Sequence, residues 1–182
     1  MTKLWKNVLV LWAIGMGPGM SGLALCATSS GPYYATPSWA QQLPASTRFV
    51  VLSNWGTGNE AVLDRETGLV WEQSPSTSGS NWFNASIHCV QLSKGGRQGW
   101  RLPNVQDLAS LIDPTQSNPA LPSGHPFNIV PSSVYWSAST VADFATSAWA
   151  VVVGTGFVGF DVKSNGTFLA WCARGGPGVD PQ

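Results

Sequence analysis

The stretch at residues 99–108, GWRLPNVQDL, constrains the fold more than any other part of the chain. Trp100 and Leu102 alternate around Arg101, which predicts a short strand with two large apolar side chains on one face. Pro103 ends that strand, because it lacks an N–H group and restricts the backbone of the residue before it. The chain must therefore turn directly into its next element.

That next element is predicted to be a helix. Asn104 is a favourable N-cap, and Asp107 can complete a variant of the capping box three residues later. Leu108, Leu111 and Ile112 follow at helical spacing. The sequence thus predicts a strand–helix corner whose apolar face packs against the rest of the domain.

The N-terminal segment has the pattern of an export signal. Lys3 and Lys6 precede a short apolar run at residues 8–14, and small residues around positions 24–27 offer a cleavage site. Glycine and proline interrupt the apolar stretch, which disfavours the alternative of an uncleaved membrane anchor. We expect a signal peptide at residues 1–27 and an exported protein, periplasmic or at the cell surface, without membrane contact after cleavage.

The charge of the exported chain excludes one large class of partners. Without Lys3 and Lys6, seven basic residues remain beside nine acidic ones, a formal charge of −2. Proteins that bind nucleic acids usually carry a basic surface. We therefore expect no nucleic-acid partner.

Length and composition predict a single domain. Cleavage leaves about 155 residues, enough for one domain with its own core. Residues 28–47 are rich in serine, proline, alanine and threonine, which predicts a flexible linker. We place the domain at residues 48–176 and a short flexible tail at residues 177–182.

If the signal is removed after Cys26, two cysteines remain, Cys89 and Cys172. A cysteine pair in an oxidising compartment favours one disulfide, with two free buried thiols as the alternative.

A lipoprotein signal at Cys26 is disfavoured, because the preceding leucine is too large for the usual small residue. Apart from the adjacent His88-Cys89, the cysteines and the two histidines (His88 and His125) lack closely spaced ligand pairs, so we expect no metal site.

Hydrophobic periodicity predicts an α+β domain, with an antiparallel sheet late in the chain. The pair Asn165-Gly166 predicts a two-residue hairpin turn between the last two strands. The predicted strands cover residues 48–55, a hairpin at 61–72, and residues 134–140, 148–153, 157–162 and 167–174. One predicted helix follows a cap at Asn81 or Asn84, and the other follows Asn104.

The sequence shows no catalytic constellation. Residues 154–159, GTGFVG, match the spacing of a dinucleotide-binding loop, but the residues after them alternate as a strand instead of starting a helix. We interpret them as a turn between strands. A serine–histidine–aspartate set and paired carboxylates are also not apparent, so we expect no catalytic residues and no cofactor.

Tryptophans fall into two groups. Those on predicted regular elements are expected in the core: Trp71, Trp100, Trp136, Trp149 and Trp171. Trp55 and Trp82 adjoin loops rich in glycine and serine, and we expect them at the surface. Exposed tryptophans commonly stack on sugars or anchor interfaces.

Four segments, in order, resemble the motifs of one known family. They are DRETGLVW at residues 64–71, GWRLP at 99–103 with Asp107 and Leu108, YWSAS at 135–139, and WCAR at 171–174. Together they span about residues 60–175. The family is the Lcl C-terminal domain, a bacterial domain of unknown function named after a collagen-like adhesin.

The resemblance implies a C-type-lectin-like fold, related to that of formylglycine-generating enzymes, in which Cys89 and Cys172 pair. One member binds sulfated polysaccharides, but the charge of this chain argues against bulk attraction to them. The calcium-binding motifs of lectins are not visible, so no calcium site is expected. The implied structural residues are Asp64, Gly68, Trp71, Trp100, Arg101, Leu102, Pro103, Asp107, Tyr135, Trp136 and Arg174.

We therefore expect an exported, non-catalytic binding or adhesion module with an unidentified glycan or protein ligand at the cell envelope. Loops usually carry ligand contacts, so we expect the ligand surface at residues 74–82 and 140–147. The expected ligand-facing side chains are Trp55, Trp82, Asp143 and Phe144. An enzyme of the formylglycine-generating type and a structural envelope protein are the alternatives.

Overall fold

The computed structural model describes residues 43–53, 55, 61–128 and 130–175. In these residues short helices combine with antiparallel strands, which confirms the α+β class. The helices are α1 (Ala45–Arg48), α2 (Trp82–Gln91) and α3 (Val105–Ser110). The strands are β1 (Phe49–Val51), β2 (Ala61–Asp64), β3 (Val70–Glu72), β4 (Trp100–Arg101), β5 (Val134–Val141), β6 (Phe144–Val152), β7 (Phe157–Val162) and β8 (Ala173–Arg174).

The strands form two sheets with only antiparallel pairs between named strands. The first has the order β1-β2-β3-β8-β4, so β8 lies between β3 and β4. The second has the order β5-β6-β7, and β7 is an edge strand within the described part of the chain. The predicted hairpin is confirmed as β2 and β3, with Ala61 opposite Glu72 and Gly68 at a positive φ of 73° in its turn.

The predicted hairpin turn at Asn165-Gly166 is wrong. β7 and β8 belong to different sheets, and residues 163–172 cross from one sheet to the other. The segment before β8 makes only isolated bridges, such as Leu169 with Tyr135. Its residues 169–172 are all buried, so side chains on both sides of the backbone are covered, and they pack between the two sheets instead of alternating along one hairpin.

The core has two clusters of buried side chains. One is centred on Trp171, whose ring contacts those of Trp71, Phe127 and Tyr135 at centroid distances of 4.9–5.8 Å. The other combines Trp100 and Trp136 with alanines of β6 and with the cysteines, among others. Four of the five tryptophans expected in the core are buried there. The fifth, Trp149, is half-buried at the surface of the second sheet.

The strand–helix corner is confirmed. Trp100 and Leu102 are both buried, and α3 follows directly after Pro103 and Asn104. The capping box is complete, because the Asn104 side chain accepts from the Asp107 N–H and the Asp107 carboxylate accepts from the Asn104 N–H. In α2 the cap is Asn81, whose side chain accepts from the N–H of Asn84.

A buried ion pair fixes the start of the domain to the hairpin. The Arg48 guanidinium donates to both carboxylate oxygens of Asp64, at 2.9 and 2.7 Å, and to the carbonyl of Ser110 at 2.8 Å. Glu66 lies 3.3 Å from the same guanidinium. Ala45, in the turn before Arg48, belongs to the core, so the packed fold begins earlier than the expected boundary at residue 48.

Cys89 and Cys172 form a disulfide with a Cα–Cα distance of 5.3 Å. It joins α2 to the segment just before β8, as the resemblance implied.

The expected signal peptide, most of the expected linker and the expected tail at 177–182 lie outside the described residues. No described helix has both the length and the apolar character needed to cross a membrane.

Candidate functional site

The motif residues build the scaffold of the domain. Tyr135, Trp136, Trp71 and Leu102 are buried. The Trp136 indole N–H donates to the carbonyl of Ser80 at 3.0 Å, which ties the second sheet to the loop before α2. These positions hold the framework on which any ligand surface must stand.

Arg174 of β8 and Trp55 form a second contact, beside Trp100 of the edge strand β4. Trp55 is only 9% exposed, so its expected surface position is wrong. Its ring packs edge-on against Trp100 at 6.1 Å, and the guanidinium groups of Arg97 and Arg174 lie 4.3 and 6.0 Å from its centroid. Glycine-rich neighbours in the sequence did not reveal this, because they describe the backbone around Trp55 and not the direction of its side chain.

Trp82 is half-buried, and its ring makes one contact through the indole N–H and another through the ring face. Its indole N–H donates to the carbonyl of Ser137 at 2.8 Å, and the Lys163 ammonium lies 4.4 Å from the ring centroid. The same ammonium donates to the Thr140 hydroxyl at 2.8 Å and to the Ala145 carbonyl at 2.9 Å. Lys163 therefore links Trp82 to the end of the β5–β6 hairpin.

That hairpin end contains two of the residues expected to face a ligand. The expected loop at 140–147 is a tight turn, since Val141 already pairs with Phe144 and leaves Ala142 and Asp143 as its tip. Asp143 is exposed, and Phe144 is 59% exposed. The structure thus brings Trp82, Asp143 and Phe144 to one region, whereas the described contacts of Trp55 lie elsewhere.

An exposed apolar surface, here called the aromatic face, continues from this hairpin across β6 and β7. It consists of Phe144, Trp149, Phe160 and Val162. Trp149 lies directly opposite Phe160 in the strand register, and their rings meet edge-on at 5.6 Å. The rings of Phe144 and Phe160 are nearly parallel, with centroids 6.4 Å apart and planes 10° apart. Phe160 is 54% exposed, so this is not a core contact.

The sequence did not single out Phe160 and Val162. The signal was present, because apolar residues at 158, 160 and 162 alternate on one face of a strand. Val158 packs against the core, whereas Phe160 and Val162 continue past its edge into solvent. Periodicity predicts which residues share a face but not where the covering layer stops.

A shallow apolar pocket lies along β7 and shares Phe160 with the aromatic face. Its volume is about 180 Å³, and Phe157 stands beside it, 65% exposed. The remaining lining residues are Val134, Ala150, Val152, Gly159, Phe160 and Phe168. At the end of the strand, the Asp161 carboxylate accepts from the Asn165 amide at 2.7 Å and from the Val162 N–H at 2.6 Å.

A buried carboxylate lies next to the disulfide. The Glu72 carboxylate accepts from the Cys172 N–H at 2.9 Å and lies 3.4 Å from the Lys94 ammonium. Burial raises the pKa of Glu72, although the Cys172 N–H, Lys94 and His88 oppose that shift. The Glu72 carbonyl also accepts from the Trp171 indole at 2.9 Å, so this residue fixes the crossing segment twice.

The expected loop surface at residues 74–82 is tied down more closely than its composition suggested. Its backbone donates from Ser76 to the Ala170 carbonyl and from Ser80 to the Phe168 carbonyl. Residues 77–79 are exposed between these anchors. The exposed residues of this loop are small, whereas the aromatic face presents exposed phenylalanines.

Comparison with known proteins gives a single assignment. No curated protein matches the chain. The family model of the Lcl C-terminal domain matches residues 60–174, a stretch that includes the hairpin, the strand–helix corner, both cysteines and the aromatic face. On this match, the chain belongs to the Lcl C-terminal domain family.

Proposed function

We propose that this chain is an exported, non-catalytic binding module with a C-type-lectin-like fold, and that it binds a glycan on the aromatic face. The observation that carries the proposal is the nearly parallel pair of exposed rings, Phe144 and Phe160, on neighbouring strands of the second sheet. A solvent-exposed apolar patch of this kind marks an interaction site more often than a single exposed residue does.

The chemistry of sugars suits this surface. One face of a pyranose ring presents C–H bonds, which pack favourably against the face of an aromatic ring. Polar groups at the margin then fix orientation by bonding the hydroxyls. Asp143, exposed at the hairpin tip next to Phe144, lies at that margin. Ring stacking with hydrogen bonds at the edge is the arrangement expected for a carbohydrate subsite.

The preferred ligand is a neutral glycan. The expected exported chain has a formal charge of −2, and Asp143 adds a negative group beside the aromatic face. A sulfated chain would meet repulsion there, and among the described residues only Lys163 is shown bonding at this hairpin to offset it. Lys163 offers little compensation, because its ammonium already bonds Thr140 and Ala145.

Two observations support the rest of the proposal. The disulfide is consistent with an oxidising, exported location. Both cysteine side chains are fully buried, which argues against the alternative of a thiol-dependent enzyme of the formylglycine-generating type. That alternative requires turnover that disappears in Cys89→Ser or Cys172→Ser variants that still fold.

The binding proposal is tested with a panel of neutral, N-acetylated and sulfated polysaccharides. We expect the folded chain to bind at least one neutral polysaccharide, and the double variant Phe144→Ala/Phe160→Ala to weaken that binding at least tenfold. The matched control is Phe83→Ala, because Phe83 is 64% exposed on α2 and lies outside the aromatic face. Binding that resists the double variant, or a chain that binds no polysaccharide, would overturn the proposal.

A further inference from the structure

Side chains of the kinds that bind metal ions lie together at the disulfide. Donor atoms of Glu72, His88 and Cys172 all lie within 4.8 Å of one another. Cys89, the neighbour of His88 on α2, is bonded to Cys172. Glu72 and Cys172 are both far from His88 in the sequence, so residue spacing alone gave no indication that these three meet.

In the disulfide form this set cannot hold a metal through sulfur. The sulfur of a disulfide is a poor ligand, whereas a thiolate is a strong one. Two-electron reduction by an external dithiol or phosphine breaks the S–S bond and leaves two thiols, while the reductant is oxidised. Binding of a divalent ion then displaces the two thiol protons to solvent.

We propose that the reduced chain binds Zn²⁺ through the thiolates of Cys89 and Cys172, the imidazole of His88 and the carboxylate of Glu72, and that the disulfide and the metal exclude each other. Two sulfur, one nitrogen and one oxygen donor form a set that zinc accepts in tetrahedral sites. The proposal is independent of the glycan-binding function, because none of these residues belongs to the aromatic face.

The geometry requires only small adjustments. Zn²⁺ bonds of about 2.0–2.3 Å place tetrahedral donors roughly 3.3–3.8 Å apart. For the donors of Glu72, His88 and Cys172 the observed limit of 4.8 Å is about 1 Å longer, which side-chain rotation can supply. The Cys89 sulfur is bonded to that of Cys172 in the oxidised chain, and it must rotate into its ligand position once the S–S bond is broken. The supporting elements are held by contacts other than the disulfide, since Glu72 ends β3 and its carbonyl accepts from the Trp171 indole.

The surroundings also favour a cation at this point. One oxygen of Glu72 is taken by the Cys172 N–H, and the other faces the Lys94 ammonium at 3.4 Å. Lys94 is partly exposed, with 25% of its side chain accessible, so it can move toward solvent when a metal ion takes its place. His88 is exposed, which gives an entry path from the surface to the buried sulfurs.

Such a site connects the two segments that the disulfide joins and adds β3 to them through Glu72. A metal-bound reduced chain keeps β3, α2 and the segment before β8 together before oxidation occurs. An external oxidant such as a small disulfide then accepts two electrons, the two thiolates form the S–S bond, and the ion is released. The disulfide would thus replace a metal link, and metal availability would control the rate at which it forms.

Cobalt is the probe for the first test, because thiolate ligation gives Co²⁺ a charge-transfer absorption band. The chain, prepared in its reduced form and freed of reductant without air, is titrated with Co²⁺ and then with Zn²⁺. We expect one Co²⁺ per chain, displacement by Zn²⁺, and no band from the oxidised chain. Near-ultraviolet circular dichroism of the buried tryptophans should match that of the oxidised chain, since ligation by an unfolded chain would count against the proposal.

Variants separate the four-residue site from simple cysteine binding. His88→Ala and Glu72→Gln should each weaken metal affinity at least tenfold, and His88→Ala should still form the disulfide. The matched control is His125→Ala, which should bind like the wild type, because the His125 imidazole accepts from the Phe127 N–H away from the cysteines.

Reoxidation supplies a second readout. Zn²⁺ should slow disulfide formation by oxidised glutathione in the reduced wild-type chain and in His125→Ala, but much less in His88→Ala. Equal metal affinities in all three chains, or reoxidation at the same rate with and without Zn²⁺, would overturn the proposal.

Discussion

The Arg101 guanidinium donates to a carboxylate oxygen of Asp107 at 2.7 Å, and that same oxygen accepts from the N–H of Asn104 at 3.1 Å. The Asp107 side chain is almost completely buried. One carboxylate thus joins the strand before Pro103 to the helix after it. The corner that the sequence predicted from capping residues is also an ion pair.

Removing this carboxylate should destabilise the domain without unfolding it. Asp107→Ala loses half of the capping box and leaves Arg101 without its anionic partner, so we expect the free energy of unfolding to fall by about 2 kcal/mol. Urea denaturation measures the change. Asp143→Ala, at the exposed hairpin tip, should shift the same curve by less than about 0.5 kcal/mol. Equal effects of the two substitutions would contradict the assigned role of Asp107.

Breaking the buried ion pair between Arg48 and Asp64 should destabilise the domain more than removing the Asp107 carboxylate does. Arg48→Met leaves the Asp64 carboxylate buried without its bidentate partner, and we expect a loss of about 3–5 kcal/mol. Arg65 is the matched control, because it is the same residue type, exposed on the hairpin turn. Arg65→Met should change the free energy of unfolding by less than about 0.5 kcal/mol. Thermal and urea denaturation of both variants would decide the point.

The disulfide should contribute a large part of the stability. Its cysteines are 83 residues apart in sequence, and closing a loop of this length stabilises a folded chain by about 4 kcal/mol in the loop-entropy description. The double variant Cys89→Ala/Cys172→Ala should therefore unfold at a much lower guanidinium concentration than the oxidised wild type. The reduced, metal-free wild type should behave similarly, and a reduced chain as stable as the oxidised one would contradict this prediction.

Stability should depend on pH through Glu72. Burial raises the pKa of this carboxyl in the folded chain above its ordinary value of 4.5. The folded chain therefore holds the proton more tightly than the unfolded chain, and its contribution is complete below the ordinary pKa and lost as the pH rises through the raised one. Glu72→Gln should gain stability relative to the wild type as the pH rises across that window. Urea denaturation at several pH values measures the difference, and a constant difference would refute the prediction.

Local signals in the sequence were sufficient for much of the fold. The capping box at Asn104 and Asp107, the hairpin turn at Gly68 and the cysteine pair were all predicted from residues close in sequence or from the family motifs. The first two depend on the backbone preferences of a few neighbouring residues, whereas the cysteine pairing was implied by the family resemblance. Such backbone preferences can be recognised in the sequence without knowing which other elements pack against these residues.

The errors arose where long-range packing decides the outcome. Asn165-Gly166 is a favourable hairpin turn by composition, yet the chain after it crosses to the other sheet, because residues 169–172 are buried between the two sheets. Trp55 adjoins glycines but packs inward on Trp100. The aromatic face was predicted only at Phe144, since the exposure of Phe160 depends on where the core stops covering the second sheet.

The position of β8 has a consequence for the order in which the fold can be completed. This strand is made after all the others described, yet it belongs between β3 and β4 in the middle of the first sheet. Until residues 171–174 have been synthesised, β3 and β4 each lack a neighbour, and both core clusters lack a buried side chain. Pairing between such distant segments is slow, because the intervening chain must be ordered first. A domain of this topology therefore cannot complete its first sheet or its two core clusters until almost all of the described residues have been synthesised.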